Sequence, residues 1–235
     1  MSAHPLLSAP SAEVKSKIAS TYDAIATEYN AWTASHHAFR LQYLNRLVPQ
    51  LSAIDNSRIL ELGAGAGDPG TVLLATLPAA HIIANDISGA QLSLLKARLA
   101  AEISAGKVEA RQGDMMDLEF AAGELDAVVG LYSILHLPRE EQGELLRRVG
   151  SWVRAGGWLL VNFGGKESEG SVQMGWLESK EEGKESQNAM YWSSWSPEES
   201  KRLVEEAGFR IEVAEIGGKE GSDADFLWVL AQKVG

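Results

Sequence analysis

Residues 58–70, Arg-Ile-Leu-Glu-Leu-Gly-Ala-Gly-Ala-Gly-Asp-Pro-Gly, constrain this chain more than any other stretch. Ile59, Leu60 and Leu62 make a short apolar run of the kind that forms a fully buried strand. Behind it the chain must turn, and Gly63, Gly65 and Gly67 can take positive φ while leaving no Cβ between the backbone and a ligand. Residues 71–77 then read as a helix. A strand, a glycine-rich turn and a helix N-terminus open a nucleotide-binding βαβ unit.

Glycine turns also occur as plain connections, so the partner acid carries weight. Residues 81–85 predict a second strand that ends on Asp86, at about the 20-residue offset from the first glycine where an acid meets ribose hydroxyls. A carboxylate accepts two hydrogen bonds from a vicinal diol, which points to an adenosine-type ligand. A dinucleotide site places a third glycine where this chain has Asp68, and an acid beside a pyrophosphate is unfavourable. Glu61, two residues before Gly63, could instead face a cationic amino group.

These residues resemble the class I S-adenosylmethionine-dependent methyltransferases. Glu61-Leu62-Gly63-Ala64-Gly65-Ala66-Gly67 is similar to their first motif, Asn85-Asp86 to the ribose-binding acid, and Gly113-Asp114-Met115 to the adenine-edge motif. Residues 131–137, Leu-Tyr-Ser-Ile-Leu-His-Leu, resemble the fourth-strand motif, and Ala155-Gly156-Gly157 the turn before the fifth strand. The motifs cover residues 57–163 in family order, and the small-molecule enzymes of the ubiquinone-biosynthesis type are the subgroup they resemble.

The resemblance implies an α/β fold, a Rossmann-like seven-stranded methyltransferase sheet with helices on both faces and an N-terminal helical lid. Its last two strands, around Phe209 and Phe226, would form an antiparallel hairpin, with the final strand beside the fifth. It implies S-adenosyl-L-methionine as cofactor. Glu61, Gly63, Ala64 and Gly65 would hold the amino-acid end, Asp86 and Ile87 the ribose, Gly113, Asp114 and Met115 the adenine, with Leu131 and Tyr132 at the edge. Tyr22 and Tyr29 match lid tyrosines that close over the methionine moiety.

Along the chain, residues 1–12 read as a mobile tail. Val14, Ile18, Tyr22, Ile25, Ala26 and Tyr29 recur at helical spacing, and a second helix carries Phe39 to Leu47 and stops near Pro49. Residues 13–50 are thus expected as the lid of a single domain, 13–235. His36 faces either a pocket or solvent; with His37 it lacks the further ligands that a metal needs, and no metal is expected. His136 follows the fourth strand. It is either the base that takes a proton from a hydroxyl or amine acceptor, or a group that shapes the loop.

After the fifth strand, residues 164–188 turn rich in Gly, Ser, Glu and Lys and read as a long loop. The large apolar residues in and after it, Trp176, Met190, Tyr191 and Trp192, suggest a substrate-side insertion over 164–195. They would wall an aromatic or apolar substrate together with Tyr132, or else form a packing cluster or dimer contact.

Composition trims the partners. A net charge of −11, from 21 Lys and Arg against 32 Asp and Glu, opposes phosphate attraction, so no nucleic acid is expected. There is no cysteine and no apolar run long enough for a membrane span. The expectation is a soluble, cytoplasmic enzyme of EC 2.1.1 type with a small-molecule substrate. The alternative is a protein of this fold that binds the cofactor but catalyses a non-methylating reaction or serves a regulatory role. Neither the acceptor atom nor the oligomeric state is legible.

Overall fold

Strand β1 (Arg58–Leu62) lies inside a seven-stranded sheet of order β3-β2-β1-β4-β5-β9-β8. The computed structural model describes residues 4–177, 188–217 and 225–235. β2 (His81–Asp86), β3 (Val108–Gln112), β4 (Leu125–Gly130) and β5 (Val153–Gly164) run parallel to β1. β8 (Phe209–Gly217) and β9 (Phe226–Lys233) form the expected antiparallel hairpin, with β9 beside β5. The strand order reverses between β2 and β4, with β1 at the switch. In such sheets the crevice for a ligand opens past the carboxyl ends of the strands at that point.

Helices cover both faces because successive strand residues point to opposite sides. α7 (Arg139–Trp152) and α8 (Pro197–Glu206) bring Leu145, Leu146, Val149 and Val204 to Leu60, Val128 and Leu159. On the other face α3 (His37–Ser52), α4 (Gly70–Leu74) and α5 (Gly89–Arg98) bring Leu44, Leu47, Leu74, Leu92 and Leu95 to Ile59, Ile82 and Val129. The short α6 (Ala100–Ser104) follows α5. Ser88 caps α5, its Oγ accepting from the Gln91 amide at 3.1 Å. Among the described residues no helix is long and apolar enough to cross a membrane.

The N-terminal segment forms α1 (Ser11–Ala24) and α2 (Ala26–Thr33), broken at Ile25. The segment expected as a tail is docked from Pro5 onward. Leu6 is buried with Val14, Ile18, Met190 and Tyr191, and the His4 ring accepts from the Leu6 amide. Helix α3 runs through Pro49 to Ser52. Ala155-Gly156-Gly157 is not a turn before the fifth strand but part of β5, where Gly156 at φ 76° absorbs a register shift.

The region expected as a long loop contains β6 (Ser168–Met174) and β7 (Ala189–Ser194), a separate antiparallel pair; residues 178–187 between them lie outside the described residues. β6 is mostly exposed and polar, so its sequence shows no core-facing period, whereas β7 buries Ala189, Met190 and Tyr191 against α1. The Thr21 hydroxyl donates to the Ala189 carbonyl at 3.0 Å and ties α1 to β7. The N-terminal helices thereby stand over the carboxyl edge of the sheet.

Candidate functional site: a cleft at the strand switch and an aromatic chamber beside it

The turn after β1 is built as its glycines require. Gly63 and Gly65 have φ of 66° and 57°, and a Cβ on Gly63 would overlap that of Ser133 from the loop after β4. Only glycine lets the two loops close at that distance. The Gly65 amide then donates to the Asp86 carboxylate at 2.7 Å, and the Ser88 amide donates to the other oxygen at 2.8 Å. Asp86 is therefore fixed at the end of β2. Burial pushes its pKa up to about 6, against the opposing pull of those two amides.

A cleft opens here, and its wall includes Tyr22, Tyr29, Gly63, Ala64, Gly65, Asp86, Ile87, Gly113, Asp114, Met115, Leu131 and Tyr132. These residues come from five separate stretches of chain that the fold brings together. Asp114 accepts from the Met116 amide at 2.9 Å with one oxygen. The other faces the Lys15 ammonium, which also reaches Glu141 at 3.0 Å.

Glu61 is the exception. It is buried behind the turn and is not on the cleft wall; the Thr71 hydroxyl donates to it at 2.6 Å. Its carboxyl tucks against Gly70, in space that any side chain there would fill. Burial raises its pKa to about 7, against the Thr71 bond and the attraction of Arg40. In this structure Glu61 braces the first turn of α4 rather than facing the cleft.

A second, wider cavity of about 890 Å³ adjoins the cleft, and Tyr22, Tyr29, Arg40, Tyr132 and His136 line both. Trp32, His36, Phe39, Trp176, Trp192 and Phe226 supply the rings of the remaining wall, beside small and polar residues such as Ser168, Gln173 and Ser194. Met190 and Tyr191, expected on that wall, instead pack with Leu6, Val14 and Ile18, because α1 covers β7. Tyr191 contributes through its backbone: its carbonyl lies 2.8 Å from Nδ1 of His136. The other imidazole nitrogen is 2.9 Å from the Tyr22 hydroxyl. Burial pushes the His136 pKa down to about 4, so the ring is neutral near pH 7.

Residues 59–157 match the family model described as a methyltransferase domain. The chain is 24% identical over 159 residues to the ubiquinone/menaquinone biosynthesis C-methyltransferase UbiE of Geotalea daltonii, a match that covers 62% of each. It is 28% identical over 112 residues to the O-methyltransferase rstn1 of Aspergillus nomiae, covering 48% of each. The matches thus span about half to three fifths of these curated relatives. The solved complex of DhpI with SAH shares the fold, with a TM-score of 0.68 at 20% identity over 96% of this chain and 99% of that one. Over residues 59–157 the chain is similar to the class I S-adenosylmethionine-dependent methyltransferases, and it shares their fold.

The residues of the cleft can be tested against an S-adenosylmethionine molecule. Asp86 offers carboxylate lone pairs beyond those its two amides use, which suits a ribose diol. Two buried polar atoms on cleft-lining residues lack a hydrogen-bond partner among the described residues, Ser133 Oγ and Gln91 Nε2. Buried polar groups are rarely left unpaired, and a polar ligand in the cleft would give them partners. The donor set fits this cofactor.

Several wall residues of the cleft escaped the motif reading. Lys15, Asn30, Arg40 and Gln91 all line the cleft. Lys15, Ile18 and Tyr22 stand at i, i+3 and i+7 on one face of α1, so Lys15 carried a signal once Tyr22 was chosen. Asn30 donates to Gln91 at 3.0 Å, a pairing between distant segments that no local pattern announces.

Proposed function

We propose that this protein transfers the methyl group of S-adenosylmethionine to a small organic acceptor with an aromatic or apolar body. One observation carries the reading: the cleft that fits the cofactor and the ring-lined chamber share Tyr22, Tyr29, Tyr132 and His136. When bound, the cofactor supplies a methyl already activated by the sulfonium charge, so positioning and exclusion of water are the protein's main tasks.

Each shared residue has a mechanical role in that reading. Tyr132 is held at φ 57° by its amide, which donates to the buried Asn162 Oδ1 at 2.6 Å, and this aims its ring between cleft and chamber. Tyr22 packs edge-on against Tyr29 and Trp176, with centroids 5.1 and 5.8 Å apart. These rings exclude water from the junction. His136, neutral and with both nitrogens engaged, orients Tyr22 in the structure as it stands; it serves as a base for acceptors whose proton reaches it through that hydroxyl. Asp86 and Asp114 hold the ribose and adenine ends.

The test is a labelled-cofactor assay against a panel of arenes bearing hydroxyl, amine, thiol or activated carbon. The expected result is S-adenosylhomocysteine formed with one acceptor class and lost in Asp86→Ala. Tight binding of the cofactor with no methyl transferred to any class would instead support a cofactor-binding protein of another activity.

A further inference from the structure

The wall of the chamber has two characters. Where it meets the cofactor cleft it is made of rings, and Tyr22, Tyr29, Tyr132 and His136 belong to both cavities. Lys166, Ser168, Gln173 and Asp225 line the chamber but not the cleft. The fold gathers this second part from the ends of three strands. The Gly165 amide donates to the Asp225 carbonyl at 2.8 Å, and the Ser194 hydroxyl donates to the Gly164 carbonyl at 3.3 Å. Ser194 in turn pairs with Ser168 across β6 and β7. Lys166, Gln173 and Asp225 are exposed and Ser168 is half-buried. Among the described residues none of these four side chains has a hydrogen-bond or ion-pair partner.

We propose that the acceptor is a conjugate. Its aromatic ring lies at the junction with the cleft, and it bears a neutral, polyhydroxylated substituent, such as a glycosyl group, that lies against Lys166, Ser168, Gln173 and Asp225. Size is the first support. A cavity of about 150 Å³ holds one benzene, whereas the chamber has about 890 Å³, room for a far larger body than a single ring. The chemistry of the polar wall is the second. An alkyl extension would strip water from four polar side chains and give them no partner, which costs free energy. A carboxylate or an ammonium would meet its own sign beside its opposite, since one cation and one anion stand there. A hydroxyl group both donates and accepts. Several of them can accept from Lys166, donate to Asp225 and do either with Gln173 and Ser168.

This inference rests on the chamber being the acceptor site, and the test reports on the two separately. Calorimetry on S-adenosylhomocysteine-saturated protein compares hydroquinone, its β-D-glucoside and 4-hexyloxyphenol, which share a phenol and differ in the extension. The glucoside should bind at least about tenfold tighter than hydroquinone. Asp225→Ala and Gln173→Leu change exposed positions and leave the core untouched. Each should weaken the glucoside about two- to tenfold and leave hydroquinone within about twofold. A glucoside that binds no tighter than hydroquinone, or as tightly to both variants as to the wild type, overturns the inference while the acceptor reading stands. Tighter binding of 4-hexyloxyphenol than of the glucoside does the same, because it assigns the chamber to an apolar tail. Failure of all three phenols to bind removes the acceptor reading and this inference with it.

Discussion

The Tyr22 hydroxyl and Nε2 of His136 lie 2.9 Å apart, and the far side of the imidazole fixes which of them donates. Nδ1 is 2.8 Å from the Tyr191 carbonyl, which can only accept, so Nδ1 carries the hydrogen. Nε2 then accepts from Tyr22. A strand of the accessory hairpin, a loop of the main sheet and the first helix are thereby joined through one neutral ring.

That chain predicts an acid-sensitive fold. The His136 pKa is lowered to about 4 by burial from an ordinary value near 6.5, so below pH 6.5 the unfolded state holds a proton that the folded state does not. Stability from this group is present above pH 6.5 and declines by about 1.4 kcal/mol per pH unit as pH falls toward 4. Urea titrations at pH 7.5 and 5.5 should show the loss, and His136→Phe should flatten it. Tyr22→Phe leaves Nε2 unpaired and should cost about 1–3 kcal/mol at pH 7.5.

Asp86 predicts a pH dependence of ligand binding. Its carboxyl, raised to about 6 by burial, is partly protonated in mildly acidic solution. A diol donates to the ionised form, so binding draws the ionised fraction and releases a proton below pH 6. Affinity for S-adenosylhomocysteine should be constant from pH 8 to 7 and fall as pH drops through 6. Asp86→Asn should bind more weakly throughout, without that limb. A wild-type affinity that does not change between pH 7.5 and 5 would show that Asp86 does not meet the ligand.

Glu61 works in the opposite direction to His136 in stability. Its folded pKa is raised to about 7, so between about 4.5 and 7 the folded state binds the extra proton. Its contribution is fully present below 4.5 and is lost as pH rises through 7. Glu61→Gln keeps an oxygen for the Thr71 hydroxyl and carries no charge to bury, so it should raise stability at pH 8 and change it little at pH 5. Equal effects at both pH values would mean that the carboxyl is ionised across the range.

The elements that were legible in the sequence share one property: their residues answer to local or buried-strand constraints. β1, the glycine turn and Asp86 could be read because a strand buried on both faces is a continuous apolar run and the turn after it needs positive φ. Tyr22 could be read from its helical face and its motif. Arg40 could not, since a lone arginine on an amphipathic helix looks like any solvated one, and only the packing of α3 brings it to the cleft. β6 was hidden because its exposed Ser-Glu-Gly-Ser sequence has no core-facing period. Met190 and Tyr191 had the right composition for a chamber wall, but which neighbours they met depended on α1 covering β7, a contact between residues far apart in sequence. Glu61 was placed by Gly70, whose missing side chain admits its carboxyl.

Gly63→Ala tests the turn most directly. The new methyl would collide with Ser133, and φ of 66° disfavours any side chain, so strain and overlap add. A loss of about 1–3 kcal/mol in stability is expected, with S-adenosylhomocysteine binding abolished even where the variant is folded. Gly106→Ala is the control. It shares the positive φ, at 71°, but a Cβ there meets nothing within 4 Å, so it should lose stability without losing binding.

On the proposed function, Trp176 is the wall residue that selects among acceptors in the chamber. It lies at the end of β6 and packs near four rings at once: Tyr29 at 5.6 Å, Tyr22 and Trp192 at 5.8 Å, and Trp32 at 6.0 Å between centroids. An indole held that way occupies space at the junction that an acceptor ring would otherwise take, and its edge-on contacts supply a binding surface of the same kind. Because Trp176 is only half-buried, Trp176→Ala should cost about 2 kcal/mol, below the ~3–5 kcal/mol of a fully buried tryptophan. The sharper effect is on selectivity. With the indole gone, kcat/KM should rise for acceptors with fused or substituted rings and fall for single-ring ones, while S-adenosylhomocysteine affinity stays within about twofold. Proportional losses for every acceptor, following the loss of stability, would assign Trp176 to packing alone.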